Sequence, residues 1–303
     1  MVKMHSIFIF GFLPYSSGKT VVSTALARGL LNRGVRVGVF KPRSGHSMWY
    51  QYDAFLKCKS EGKLFCEDII KLKEASKCSL PYEILNPIDA LMSPLNLETF
   101  LKLNLVDWMY TFEREVFNHL LVERYTMIRS GEIINTLLLN EVNLREKLVL
   151  RDEEYIDNLS KSMNKVIPIH NVNEWNSYYE KLASKSICSC YSKLKEKYET
   201  LIIEGFNDAI VPELKLIYET EIVIGVSPST AILYEANEFK RVIDGLISLG
   251  SNAKTLRSKD IIKFTRKYEI LKIPPLSDKD LKDYDTLALK LEKLVDEILL
   301  HLK

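Results

Sequence analysis

A stretch near the start of the chain carries the first chemistry that can be read from it: Gly11-Phe12-Leu13-Pro14-Tyr15-Ser16-Ser17-Gly18-Lys19-Thr20. A glycine before a helix lets the backbone turn so that successive N–H groups face phosphate oxygens, and the helix start adds the positive end of its dipole. A lysine at position 19 can neutralise β- and γ-phosphates, and the Thr20 hydroxyl can join a Mg²⁺ shell. Gly11, Tyr15, Ser16, Ser17, Gly18, Lys19, Thr20 and Val21 are therefore the expected contacts to a nucleotide's phosphates. Ser-Gly-Lys-Thr alone occurs by chance in many loops. Here a strand precedes it and a helix follows, the context in which a Walker A motif is credible. The first glycine stands at Gly11, two positions before the usual spacing, which falls on Leu13.

Three further side chains complete a phosphate-and-metal chemistry. Lys41 follows a strand directly and can stabilise transferring phosphoryl charge. Thr20, Asp53 and Glu204 make an oxygen-only set of the kind a hard divalent cation requires. Each has a plainer reading: Asp53 as a helix N-cap, Glu204 as an exposed strand-end carboxylate, Lys41 as a turn residue before Pro42. His170, the Cys188-x-Cys190 pair, Arg43 and the aromatic group Trp49, Tyr50 and Tyr52 are weaker candidates. His170 can equally satisfy a backbone group, the C-x-C pair lacks partners at ligand spacing, and the aromatics can simply pack. Arg43 can face an anionic second substrate.

These residues need elements to hold them. Residues 6–10 read as a strand, 20–33 as a helix closed by Gly34, and 35–40 as a second strand, a βαβ unit that implies a parallel sheet. Residues 200–203, 221–226 and 269–273 read as further strands, and 284–302 as a final amphipathic helix. Open parallel sheets gather ligands at the C-terminal ends of their strands, where the loop, Lys41 and Glu204 all fall. The segment 97–197, by contrast, reads as a largely helical insertion or cap, interrupted by an extended piece near 166–169. The expected architecture is α/β: a mostly parallel sheet flanked by helices, formed by 1–96 and 198–303, with 97–197 as the insertion.

Composition limits the alternatives. The chain has 303 residues, 47 % of them hydrophobic and 27 % charged, with a net charge of +2. Such a balance builds a globular core and gives no overall field for nucleic acid. The apolar run 7–13 is too short for a spanning helix, and no other segment approaches the roughly 20 apolar residues that a membrane span needs. Five cysteines at irregular spacing, with no export signal, point to reduced thiols and a cytoplasmic location.

Read in order, the later motifs resemble dethiobiotin synthetase. Val39-Phe40-Lys41-Pro42-Arg43-Ser44-Gly45 is similar to that family's K-P-x-x-S-G, and Tyr52-Asp53-Ala54 to its S-D-A, whose aspartate faces the metal. Asn86-Pro87-Ile88 with Ser93-Pro94-Leu95 is similar to its N-P…S-P-H. Ile203-Glu204-Gly205 is similar to its V-E-G, and Ile273-Pro274-Pro275-Leu276 to its I-P-x-L. The resemblance covers roughly 5–96 and 198–280. It implies the P-loop NTPase fold, ATP and Mg²⁺, and a reaction in which a carboxylate or carbamate is phosphorylated for ligation or amidation. Lys19 and Lys41 would then be catalytic, and Thr20, Asp53 and Glu204 the metal set. The second substrate is a small molecule of unknown identity, and a homodimer is expected by analogy. Phe206-Asn207-Asp208 stands where that family has Ala-Gly-Gly, and Leu95 where it has histidine. The alternative is therefore a nucleotide-binding switch or regulatory module without ligase activity.

Overall fold

Four successive apolar side chains, Ile7, Phe8, Ile9 and Phe10, are fully buried, as befits a strand covered on both faces. They lie in the first strand of the computed structural model, which describes residues 4–265 and 268–302. In chain order the strands are β1 (His5–Gly11), β2 (Val37–Phe40), β3 (Arg43–Ser47), β4 (Ile88–Met92), β5 (Leu120–Arg129), β6 (Glu132–Asn140), β7 (Lys165–Ile169), β8 (Thr200–Glu204), β9 (Ile222–Ser227), β10 (Thr230–Glu235) and β11 (Tyr268–Lys272). The chain divides into two units. One comprises Met1–Arg43, Asp68–Pro81 and Tyr191–Lys303; the other comprises Ser44–Glu67 and Tyr82–Cys190.

The first unit is an α/β layer structure on a six-stranded sheet of order β11-β10-β9-β1-β8-β2. β2, β8, β1 and β9 run parallel, while β10 returns antiparallel on β9 and β11 antiparallel on β10. Registers Ile9↔Glu204, Phe40↔Ile203 and Gly11↔Val226 bring the C-terminal ends of the parallel strands to one edge. The helix Lys19–Asn32 follows β1 and buries Val22, Ala25, Leu26 and Leu30, an apolar stripe of helical period. It packs against the helices Tyr284–Lys290 and Glu292–His301. Those two replace the single helix expected over 284–302, because Leu291 leaves helical geometry between them.

The sequence-predicted strands at 6–10, 35–40, 200–203, 221–226 and 269–273 correspond to β1, β2, β8, β9 and β11. β10, with sequence TAILYE, was not foreseen, since its short apolar run Ala231–Tyr234 has no period that separates strand from helix.

The second unit carries a five-stranded mixed sheet of order β3-β4-β5-β6-β7. β4, β5 and β6 are antiparallel neighbours, and β7 joins β6 in parallel. The segment 97–197 thus holds β5, β6 and β7 beside its helices, rather than helices with one extended piece. Its limits also differ: the units part at 43/44, 67/68, 81/82 and 190/191 rather than at 97 and 197. Glu123 and Arg124 interrupt the apolar run of β5 and imitate an amphipathic helix. The strand signal was the richness in Val, Tyr, Thr and Ile around a Ser130-Gly131 turn in which both φ angles are positive. Arg124 is fully buried, yet its guanidinium donates to the carbonyls of Leu64, Asn86 and Pro87 and to the Thr126 hydroxyl. Burial without those acceptors would be prohibitive.

Phe10 joins the core of the first unit to the loop that follows β1: its ring contacts Phe8, Phe12, Tyr234 and Phe239. Phe10→Ala is expected to lower unfolding free energy by about 3–5 kcal/mol, read as a fall in the urea midpoint. A loss below about 1 kcal/mol would contradict this packing.

Candidate functional site

The loop after β1 closes on itself at Gly11. A Cβ there would stand 2.4 Å from Ser17 Oγ and 3.0 Å from Lys19 Nζ, so any larger residue would push the Ser17 side chain aside, and glycine fits this fold-back without that shift. Phe12 N donates to Val226 O at 2.9 Å and ties the loop's first residue to the end of β9. Residues 13–16 are exposed, Tyr15 at 77 %, and the chain re-enters the protein at buried Ser17. Gly18 then takes φ +89°, the left-handed conformation that favours glycine, directly before the helix. No side chain caps that helix and no acidic residue lies in its first turn. Its N-terminal N–H groups thus suit an anion. Val21 sits half-buried in that turn.

Beside this helix start lies a cluster of two lysines, two carboxylates and a hydroxyl. Lys19 Nζ donates to Ser17 Oγ at 3.3 Å. Lys41 Nζ, nearly buried after β2, lies 2.6 Å from Glu204 Oε1, 2.8 Å from Asp68 Oδ2 and 3.2 Å from the Gly205 carbonyl. Thr20 Oγ1 lies 2.9 Å from Asp68 Oδ1 and 3.1 Å from Glu204 Oε1. Glu204 closes β8 with no exposed surface, and its second oxygen, Oε2, has no hydrogen-bond partner among the described residues.

The charges respond to burial and to one another. Burial lowers the pKa of Lys19, and the like charge of Lys41 lowers it further. Burial alone would raise Asp68, but the Lys41 ammonium and the Thr20 hydroxyl hold it down at about 2. At Glu204 burial prevails over Lys41, and its pKa rises. Chemically, the buried lysines and the helix start can neutralise an anion of several charges. The carboxylates and Thr20 offer part of an oxygen shell for a hard cation, one that Mg²⁺ commonly completes with water and phosphate oxygens. The unpartnered Glu204 Oε2 and the glycine cradle fit that use. Among the described residues no group of three or more His, Cys, Asp or Glu is placed to hold a metal ion by itself.

Of the residues expected from sequence, Gly11, Ser17, Gly18, Lys19, Thr20, Lys41 and Glu204 come together here. Asp53 belongs to the second unit, where it is exposed in the first turn of the helix Tyr52–Glu61. The carboxylate that meets Thr20 and Lys41 is Asp68, in the first turn of the helix Glu67–Ser76. Both aspartates open helices downstream of Lys41, and motif order alone does not distinguish them. The buried run Leu64-Phe65-Cys66 before Asp68 was the available signal. Glu204 is not an exposed strand-end carboxylate, nor Lys41 a mere turn residue.

Arg43 lies over the Phe206 ring at 5.6 Å. His170 is exposed and paired with Glu141 and Glu174, which raise its pKa. Trp49, Tyr50 and Tyr52 are exposed rather than packed beneath helices. Comparison of the chain with protein-family models and with curated proteins gave no match.

Asp68, held low, contributes stability that is fully present above its ordinary pKa of 3.8 and is lost as pH falls through about 2. For a carboxylate still 34 % exposed, screening reduces this to about 1–2 kcal/mol. Glu204, held high, acts with the opposite sign, so the useful quantity is the difference between wild type and Asp68→Asn. Urea midpoints at pH 6 and pH 3 are expected to show wild type ahead at pH 6 and the gap narrowed at pH 3. A gap independent of pH would contradict the Lys41–Asp68 pairing.

Proposed function

We propose that this chain is an ATP- and Mg²⁺-dependent P-loop enzyme resembling dethiobiotin synthetase. The observation that carries the reading is the convergence of Lys19, Lys41, Thr20, Asp68 and Glu204 on a glycine-cradled helix start at the C-terminal edge of parallel strands. Backbone N–H groups of 17–21 and Lys19 would hold the β- and γ-phosphates, while Thr20, Asp68 and Glu204 would hold the metal. Bound ATP supplies the phosphoryl group that activates a carboxylate or carbamate of a small cytoplasmic substrate for ligation or amidation. Lys41 would neutralise charge that develops on the transferring oxygens, and burial of the cluster strengthens that effect. A homodimer remains part of this proposal.

A second reading, a slow nucleotide-driven switch, is favoured by Phe206. Its ring, covered by Arg43, fills space directly after the Glu204-Gly205 pair. Turnover separates the two: an enzyme needs a second small substrate for rapid phosphate release, whereas a switch releases phosphate slowly whatever is added.

Calorimetric titration with ATP and GTP, with and without Mg²⁺, tests the core of the reading. Wild type is expected to bind Mg·ATP, and Lys19→Ala to weaken that binding by at least about tenfold, the loss of a charge-assisted contact. Failure of wild type to bind either nucleotide would sink the proposal.

A further inference from the structure

We propose that Lys41 is the resident counter-cation of the Asp68–Glu204 pair and that a divalent metal can enter only as a polyphosphate draws its ammonium away. Metal and nucleotide binding would then be an exchange rather than two independent events. The inference rests on the Mg·nucleotide reading above.

Four contacts carry it. Lys41 Nζ lies 2.6 Å from Glu204 Oε1 and 2.8 Å from Asp68 Oδ2, so one ammonium bridges both carboxylates. Thr20 Oγ1, the third metal ligand of the set, touches the same Glu204 oxygen and the other oxygen of Asp68, at 3.1 and 2.9 Å. A metal on this set binds at about 2.0–2.1 Å from its oxygens. It would therefore stand close to an ammonium already at hydrogen-bond distance from the same atoms. At that separation two cations in a buried, weakly screened site repel strongly.

Lysine is the side chain suited to such an exchange, being a compact charge on a flexible four-carbon stem. A triphosphate on the adjacent helix start brings the negative charge that lets Lys41 leave the carboxylates without being stranded. Once it has turned, both carboxylates, including the otherwise unpartnered Glu204 Oε2, would be open to a metal without the Lys41 ammonium bound to them. Linkage makes the effect reciprocal: whatever factor the polyphosphate adds to metal affinity, the metal adds to polyphosphate affinity.

The test is Mn²⁺ binding without nucleotide, followed by electron paramagnetic resonance at pH 8. Wild type is expected to bind Mn²⁺ weakly, and Lys41→Met to bind it at least about tenfold more tightly, equivalent to about 1.4 kcal/mol. Unchanged or weaker binding in a folded Lys41→Met protein would overturn the exchange. If circular dichroism shows that Lys41→Met does not fold, Lys41→Gln takes its place with the same expectation. Tight Mn²⁺ binding by wild type alone, abolished by Asp68→Asn, would overturn it whatever the variants do. Mg·ATP binding to wild type, measured alongside, separates the two ideas. If that binding is absent, the nucleotide reading fails; if it is present and Lys41→Met gains nothing, only the exchange fails.

Discussion

Glu204 ends an interior strand of the sheet wholly out of water, and an ionised carboxylate persists in such a place only with a cation against it. The Lys41 ammonium at 2.6 Å supplies that cation. Much of the first unit follows from making this contact possible. β2 must lie beside β8, in parallel and in the register that sets Phe40 opposite Ile203, so that Lys41 just after β2 and Glu204 at the end of β8 reach the same edge. β1 must lie on the other side of β8, with Ile9 opposite Glu204, so that the loop after β1 opens over the same point. The buried runs of these strands hold that arrangement.

Once Lys41 and Glu204 are fixed, the neighbouring groups are constrained electrostatically. Two lysines near one another are tolerable because Asp68 and Glu204 balance them, and Asp68 is held ionised by the same ammonium. Gly11 and Gly18 answer a different demand, that of a chain turning back on itself within the reach of Ser17 and Lys19. These local requirements were visible in the order of residue types along the chain. The loop, its flanking strand and helix, Lys41 and Glu204 could be placed by reading because each sits at an element boundary marked by glycine, proline or a change of period.

What could not be read depended on long-range pairing. Asp53 and Asp68 both lie in the first turn of a helix downstream of Lys41; the apolar run Leu64-Phe65-Cys66 was the one local mark of Asp68, and its contacts with Thr20 and Lys41 come only from the folded unit. The sheet of the second unit was hidden because β5 carries Glu123 and Arg124 inside its apolar run; Arg124 donates to the distant Leu64 carbonyl, and Glu123 accepts from its neighbour Tyr125 and from the distant Trp175. Buried charge of that kind is uninformative until its acceptors are known. The same holds for β10, whose identity as a strand comes from its neighbours β9 and β11 rather than from its own residues.

The proposed use of this cluster is tested most directly by a crystal structure with Mg²⁺ and a non-hydrolysable ATP analogue. The account predicts phosphates along residues 11–21, Thr20 in the metal shell with Asp68 and Glu204, and Lys41 turned from Glu204 toward the phosphates. An analogue bound elsewhere, or bound with Lys41 still bridging both carboxylates and no metal beside Thr20, would contradict it.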